Sequence, residues 1–182
     1  EAVLNAIADY FIAALEVESC TISGWDIERD EVVTLLDRDP EPTAQVAVGS
    51  RFRIPDYPHY AALLHESRSL IVRRGDPGLD EALVRWLDAY LWQSLLTMPL
   101  IGKGRVIGLV ELGERRRERD FSADEIRLAE SLAGQAAAAI ENARLFSAVQ
   151  LLAVTDSLTG LHNRRHFIEL AEREFQRARR YR

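Results

Sequence analysis

Residues able to do chemistry are sparse in this chain of 182 residues, and their spacing narrows the possibilities. His59 and Tyr60 follow Pro58 in a Tyr-rich turn, and His65 stands six residues further on. No third ligand accompanies the two histidines, so a metal or haem centre there would be incomplete. With Trp25, Arg73, Trp86, Trp92 and Met98 they form an aromatic, largely apolar inventory that suits a non-covalent small-molecule pocket. The same tryptophans and the methionine equally suit plain core packing. Cys20 is the single cysteine, which excludes an intramolecular disulfide and a Cys-rich zinc site. Arg115, Arg116, Arg117 and Arg119 could meet phosphates, but Glu114, Glu118 and Asp120 interleave them, and such a run reads first as a solvated loop. Asp156, Thr159 and Asn163 are able to hold a tight turn through side-chain-to-backbone hydrogen bonds.

These residues must be positioned by a fold, and composition bounds it. With 47% hydrophobic and 29% charged residues the chain reads as an ordinary soluble globular protein. A net charge of -6 gives no support to nucleic-acid binding. From Thr155 onward there are seven Arg against one Asp and three Glu, a local balance of +3, which leaves about -9 for the rest. That asymmetry points to a boundary near 155. No apolar run reaches the roughly 18–20 residues of a membrane span, and the start lacks a signal-peptide pattern. Together with the single cysteine this implies a cytoplasmic location without membrane contact. The chain opens on Glu1 and stops in the charged run Glu172 to Arg182, so further chain is expected on both sides.

Apolar residues at Val3, Leu4, Ile7, Tyr10, Phe11, Ala14 and Leu15 predict a helix over 2–17. Cys20 to Ile27 and Glu31 to Asp37 read as a hairpin, with a possible edge strand at Gln45 to Val48. Pro58 can open a short helix to Glu66, Leu70 to Arg73 reads as a strand, and Leu79 to Trp92 as a second helix. Ser94 to Ile101 and Arg105 to Leu112 form the clearest hairpin, joined by Gly102-Lys103-Gly104. Ser122 and Glu125 make a capping box that opens a helix from Ser122 to Val154. At 1.5 Å per residue that is roughly 50 Å, too long to bury against one small domain. The order describes an α+β fold, an antiparallel sheet covered by helices.

The segments Pro99 to Gly102, Val106 to Leu112, Phe121 to Glu125 and Leu132 to Leu145 resemble the C-terminal half of a GAF domain. Thr155 to Phe167, reading TDSLTGLHNRRHF, is similar to the opening of GGDEF domains, the diguanylate cyclases. The resemblance implies a GAF sensor domain over 1–145, a signalling helix over 122–154 that overlaps it, and a truncated GGDEF start over 155–182. Asp156, Leu158, Thr159, Leu161, Asn163 and Arg164 match the second family's opening motif, and the likeness would put Leu158 near its guanine pocket. The family joins two GTP into cyclic di-GMP with Mg²⁺. Its metal-binding aspartate strand and its naming hairpin are absent from these residues, so this chain is expected to hold no catalytic residue and no metal. Bilin-attaching GAF domains carry a cysteine in a helical insert where this sequence has none, so any ligand is expected to be small and non-covalent. Residues 113–115 do not match the cyclic-nucleotide type.

The long helix offers a dimer seam through Leu132, Ala136, Ala139 and Ala143, then Leu145, Val149 and Leu152, with a one-residue shift of phase between them. The expected role is regulation of cyclic di-GMP synthesis by a homodimer. The alternatives are a GAF domain that binds nothing and only dimerises, and a degenerate cyclase that serves as a nucleotide receptor.

Overall fold

The computed structural model describes residues 2–40, 48–156, 159 and 161–180. Their contacts divide into two units, Glu1–Ala139 and Ile140–Arg182. Leu158, and residues 45–47 of the edge strand expected at Gln45 to Val48, lie outside the described residues.

The first unit is built on six antiparallel strands: β1 (Ser19–Asp26), β2 (Glu31–Arg38), β3 (Arg51–Arg53), β4 (Leu70–Arg73), β5 (Ser94–Gly102) and β6 (Arg105–Glu114). Their spatial order is β3-β2-β1-β6-β5-β4, which sets the two longest apolar runs beside each other near the centre. Lys103 and Gly104 both have positive φ, 48° and 77°, and close the β5–β6 hairpin as a two-residue turn of the kind that matches strand twist. Helix α1 (Ala2–Leu15) lies against β1 and β2, burying Ile7, Phe11 and Leu15. Helix α2 (Pro58–Glu66) starts on its proline and packs over β5 and β6. Helix α3 (Glu81–Tyr90) is capped by Asp80, whose side chain accepts from the Leu83 amide. Helix α4 (Ala123–Val154) opens with the expected capping box: Ser122 N donates to Glu125 Oε2 at 2.8 Å, and Glu125 N to Ser122 Oγ at 3.3 Å.

Register decides which residues share a face. Thr21 stands opposite Asp37 on β2 and Glu111 on β6, and Glu111 in turn stands opposite Thr97 on β5. Ser23 stands opposite Thr34 and Leu109. The register shift between Ile22 and Ser23 skips Leu35, a bulge that brings both Thr34 and Asp37 to one side of the sheet. Polar residues therefore gather on the face that α2 and α3 cover. Cys20, Ile22, Met98 and Val110 alternate with them and belong to the other face.

The charged loop before α4 is not simply solvated. Arg115 and Arg119 keep only 10% of their side-chain surface exposed and pair with Asp39 and with Glu114 and Glu125. Arg119 also donates to the Leu15 carbonyl at 3.0 Å and stacks over Phe121. Arg116 and Arg117 behave as expected: both are exposed, and Arg116 pairs with Glu18.

Candidate functional site

Glu111 lies in the middle of β6 with 1% of its surface exposed. The Tyr60 hydroxyl, on α2, donates to Oε1, and the Trp86 indole Nε1, on α3, donates to the same oxygen at 3.2 Å. Both donors land on Oε1, and none of the described residues donates to Oε2. Burial pushes the carboxyl up to about 7, the two hydrogen bonds pull it down, and the neighbouring Asp37 adds to the rise. Asp37 accepts from Thr21 Oγ1 at 2.8 Å and is itself raised by burial. Burial likewise raises the Tyr60 and Tyr90 hydroxyls, with Glu111 contributing to both.

Beside the two carboxyls, the hydroxyls of Ser23, Thr34 and Thr97 are buried and have no hydrogen-bond partner. Leaving a buried hydroxyl unpaired costs about 1–3 kcal/mol. Three lie on one sheet face, next to the buried Glu111 and the half-buried Asp37, and form a polar floor with hydrogen-bonding capacity left over. The walls are aromatic. Phe52, Tyr57, Trp86 and Tyr90 form successive ring contacts at 5.4, 5.8 and 4.9 Å, and Tyr60 sits 5.9 Å from Tyr57. A cleft of about 320 Å³ opens between the turn at Ile54–Asp56 and α3, lined by Asp56, Tyr57, Ala82, Arg85, Trp86 and Ala89. Trp86 thus touches the cleft and Glu111 at once.

Of the residues singled out from the sequence, Tyr60 and Trp86 converge on Glu111. The His59 ring packs 4.2 Å from Tyr60, with Asp80 Oδ2 3.4 Å from Nδ1 but neither ring nitrogen in a hydrogen bond. Burial keeps it below the usual histidine range, against the pull of Asp80. Trp25 donates to Asp30 at 3.4 Å and meets His65 edge-on. Three residues do not join the site. Arg73 is held by Asp76 and Asp120, because its strand ends beside the acidic loops. Trp92 stacks on Tyr90 at 4.4 Å and donates to Ser19, sealing a core cluster of Leu83, Leu87 and Leu95. Met98 sits on the opposite face, one residue out of step with Thr97.

The sequence reading missed Glu111, Asp37, Ser23, Thr34 and Thr97. A signal existed for Glu111: it is the one charge inside Val106 to Leu112, and a carboxylate in an otherwise apolar strand needs a reason. The arrangement can accept and donate hydrogen bonds to a bound molecule. Among the described residues no group of three His, Cys, Asp or Glu could hold a metal ion.

Comparison of the sequence with protein families agrees with this fold: the GAF domain family model matches residues 1–140. The chain belongs to the GAF domain family. This GAF domain shares its fold with the GAF domain/HD domain protein of Geobacter sulfurreducens, at 16% identity and a TM-score of 0.66 over 79% of this chain and 93% of that one. A domain of a putative two-component sensor histidine kinase from Sinorhizobium meliloti is 22% identical, with a TM-score of 0.65 over 82% and 97%. The PixJ GAF domain of Thermosynechococcus elongatus, in its blue-light absorbing form, is 18% identical, with a TM-score of 0.67 over 89% and 94%. No curated protein sequence matches the chain.

In the second unit, Asp156 Oδ1 accepts from Thr159 N at 3.0 Å and Thr159 Oγ1 at 2.9 Å, while Asp156 N donates to the Leu161 carbonyl at 2.8 Å. Asn163 Nδ2 donates to the Ala153 carbonyl at 2.7 Å, and its Oδ1 accepts from His166 N at 3.0 Å, capping helix α5 (Arg164–Arg180). The Leu161 side chain is exposed, and Arg164 opens the helix. The seam expected on α4 needs correction in its first half. Leu132 and Ala136 are buried at 5% and 0%, taken up by the domain's own packing, and so are not available to a partner. Ala139 is half-buried and Ala143 exposed, while Leu145, Val149 and Leu152 are exposed at 51%, 63% and 70%.

Proposed function

We propose that this GAF domain is the small-molecule-sensing regulatory module of a diguanylate cyclase, controlling the synthesis of cyclic di-GMP from two GTP with Mg²⁺. The observation that carries the sensing role is the polar floor of buried Glu111, half-buried Asp37 and three unpaired buried hydroxyls beneath the aromatic wall. A domain that served only as a dimerisation block would gain stability from apolar residues there. The cyclase context rests on Thr155 to Phe167, whose Asp156, Thr159 and Asn163 hold the turn between two helices. In this reading residues 155–182 begin the cyclase domain, and the exposed Phe167 and Phe175 of α5 pack against the rest of it. The parent is cytoplasmic, and the exposed end of α4 brings two cyclase domains together, as a product made from two GTP requires.

A thermal-shift screen of small metabolites against the purified chain tests the sensing role. At least one compound is expected to raise the melting temperature of the wild type but not of a Thr97→Val, Ser23→Ala variant. No shift at millimolar concentration, with no small molecule co-purifying, refutes it. The cyclase context is tested by incubating the longer parent chain and this chain separately with GTP and Mg²⁺. Product is expected only from the parent, and its absence from the parent refutes that half of the proposal.

A further inference from the structure

The chemistry of the polar floor selects a class of ligand, given that the floor takes part in ligand binding. Its floor offers two carboxyls and three hydroxyls, and an ionised carboxylate can only accept hydrogen bonds. The two donors that reach Glu111 both use Oε1. No basic side chain joins the floor. Arg85, on the cleft wall, is 72% exposed and paired with Glu81, and Arg115 is tied to Asp39. An anionic ligand would therefore meet Glu111 and Asp37 without a compensating cation, a cost rising steeply in a buried site. The walls, Tyr57, Tyr60, Trp86 and Tyr90, present electron-rich ring faces of the kind that attract ammonium groups.

We infer that this site takes a small primary organic amine in its protonated form, its body in the cleft beside Trp86 and its ammonium passing that ring to sit on Glu111. An ammonium carries three donors and no acceptor, which suits Glu111 together with neighbouring hydroxyls. The cleft of about 320 Å³ is at the small end for organic ligands, so the body of the molecule is of the order of a single ring. Because Trp86 lines the cleft and donates to Glu111, the ligand's ammonium replaces the indole donor as the ring turns aside.

The charged and titratable groups facing Glu111 are Asp37 from β2, Tyr60 from α2 and Tyr90 from α3, with Cys20 on β1 acting through the sheet. None is a cation. With Glu111 titrating near 7, an ammonium beside it favours the ionised form, so binding below that pH releases a proton and affinity rises from pH 6 to pH 8.

Calorimetric titration of the whole chain with phenethylamine, 2-phenylethanol and phenylacetate at pH 8 tests the inference. Phenethylamine is expected to bind at least tenfold more tightly than the alcohol or the acid. Glu111→Gln, which still accepts from Tyr60 and Trp86, is expected to lose at least tenfold in amine affinity and clearly less for the alcohol. Asp37→Asn serves as the second variant should Glu111→Gln fold poorly, with a smaller loss of the same sign. An alcohol or acid that binds as well as the amine, an unaffected folded variant, or no amine binding at millimolar concentration overturns the amine assignment. The sensing role itself falls only if the metabolite screen described above is also negative.

Discussion

Glu111 holds a carboxyl where burial opposes its charge and two hydrogen bonds favour it, and burial wins. The consequence for stability has a definite sign. Below about 4.5 the folded and unfolded chains both hold this proton, and well above about 7 neither does. Between those limits only the folded chain holds it, so stability falls with rising pH and the loss levels off above 7. The shift corresponds to about 3 kcal/mol at most, spread over that window. Glu111→Gln cannot ionise. Its stability relative to wild type is therefore expected to increase from pH 5 to pH 8, read as the difference in urea midpoints. Parallel curves would show that the carboxyl is ionised throughout. Asp37 shifts in the same direction, and only the part of its shift that does not come from Glu111 cancels in the comparison.

Among the elements, β6 illustrates how a single glycine fixes a neighbour. A Cβ at Gly113 would lie 2.1 Å from Trp92 Nε1 and 2.5 Å from Ser19 Oγ, so any side chain there displaces the indole from its hydrogen bond. Gly113→Ala is expected to destabilise the chain by about 1–3 kcal/mol. Gly134 is the opposite case. It lies inside α4 with nothing within 4 Å of its would-be Cβ, so Gly134→Ala is expected to stabilise by about 0.5–1 kcal/mol through helix propensity. Chemical denaturation of the two variants side by side checks both signs. The capping box at the start of α4 is worth about 1 kcal/mol, measurable as the cost of Ser122→Ala.

For the molecule as a whole, the proposal of a homodimer now rests on the later part of α4. Leu145, Val149 and Leu152 step by four and three and are all exposed, as one side of a two-helix seam requires. Burying each fully is worth about 1.5–3 kcal/mol. The chain is expected to sediment as a dimer at micromolar concentration, and Val149→Glu with Leu152→Glu to shift it to monomer. A wild-type monomer, or a dimer that survives both charges, removes this helix from the regulatory mechanism.

Much of the architecture was legible in the sequence because it is set by local rules. The proline at the start of α2, the Ser122–Glu125 capping box and the Gly102-Lys103-Gly104 turn act within a few residues of themselves, and each forms where its residue types predict. The apolar runs of β5 and β6 were equally plain, and the closing helix pattern carried the family likeness. The polar floor was not legible. Glu111, Thr97, Thr21 and Asp37 come from four strands that span positions 21 to 111, and only sheet register, with a bulge at Leu35, puts them side by side. The fate of Leu132 and Ala136 was hidden for the same reason. Helical periodicity says that two residues share a stripe, but only tertiary packing decides whether that stripe meets the domain's own core or another chain.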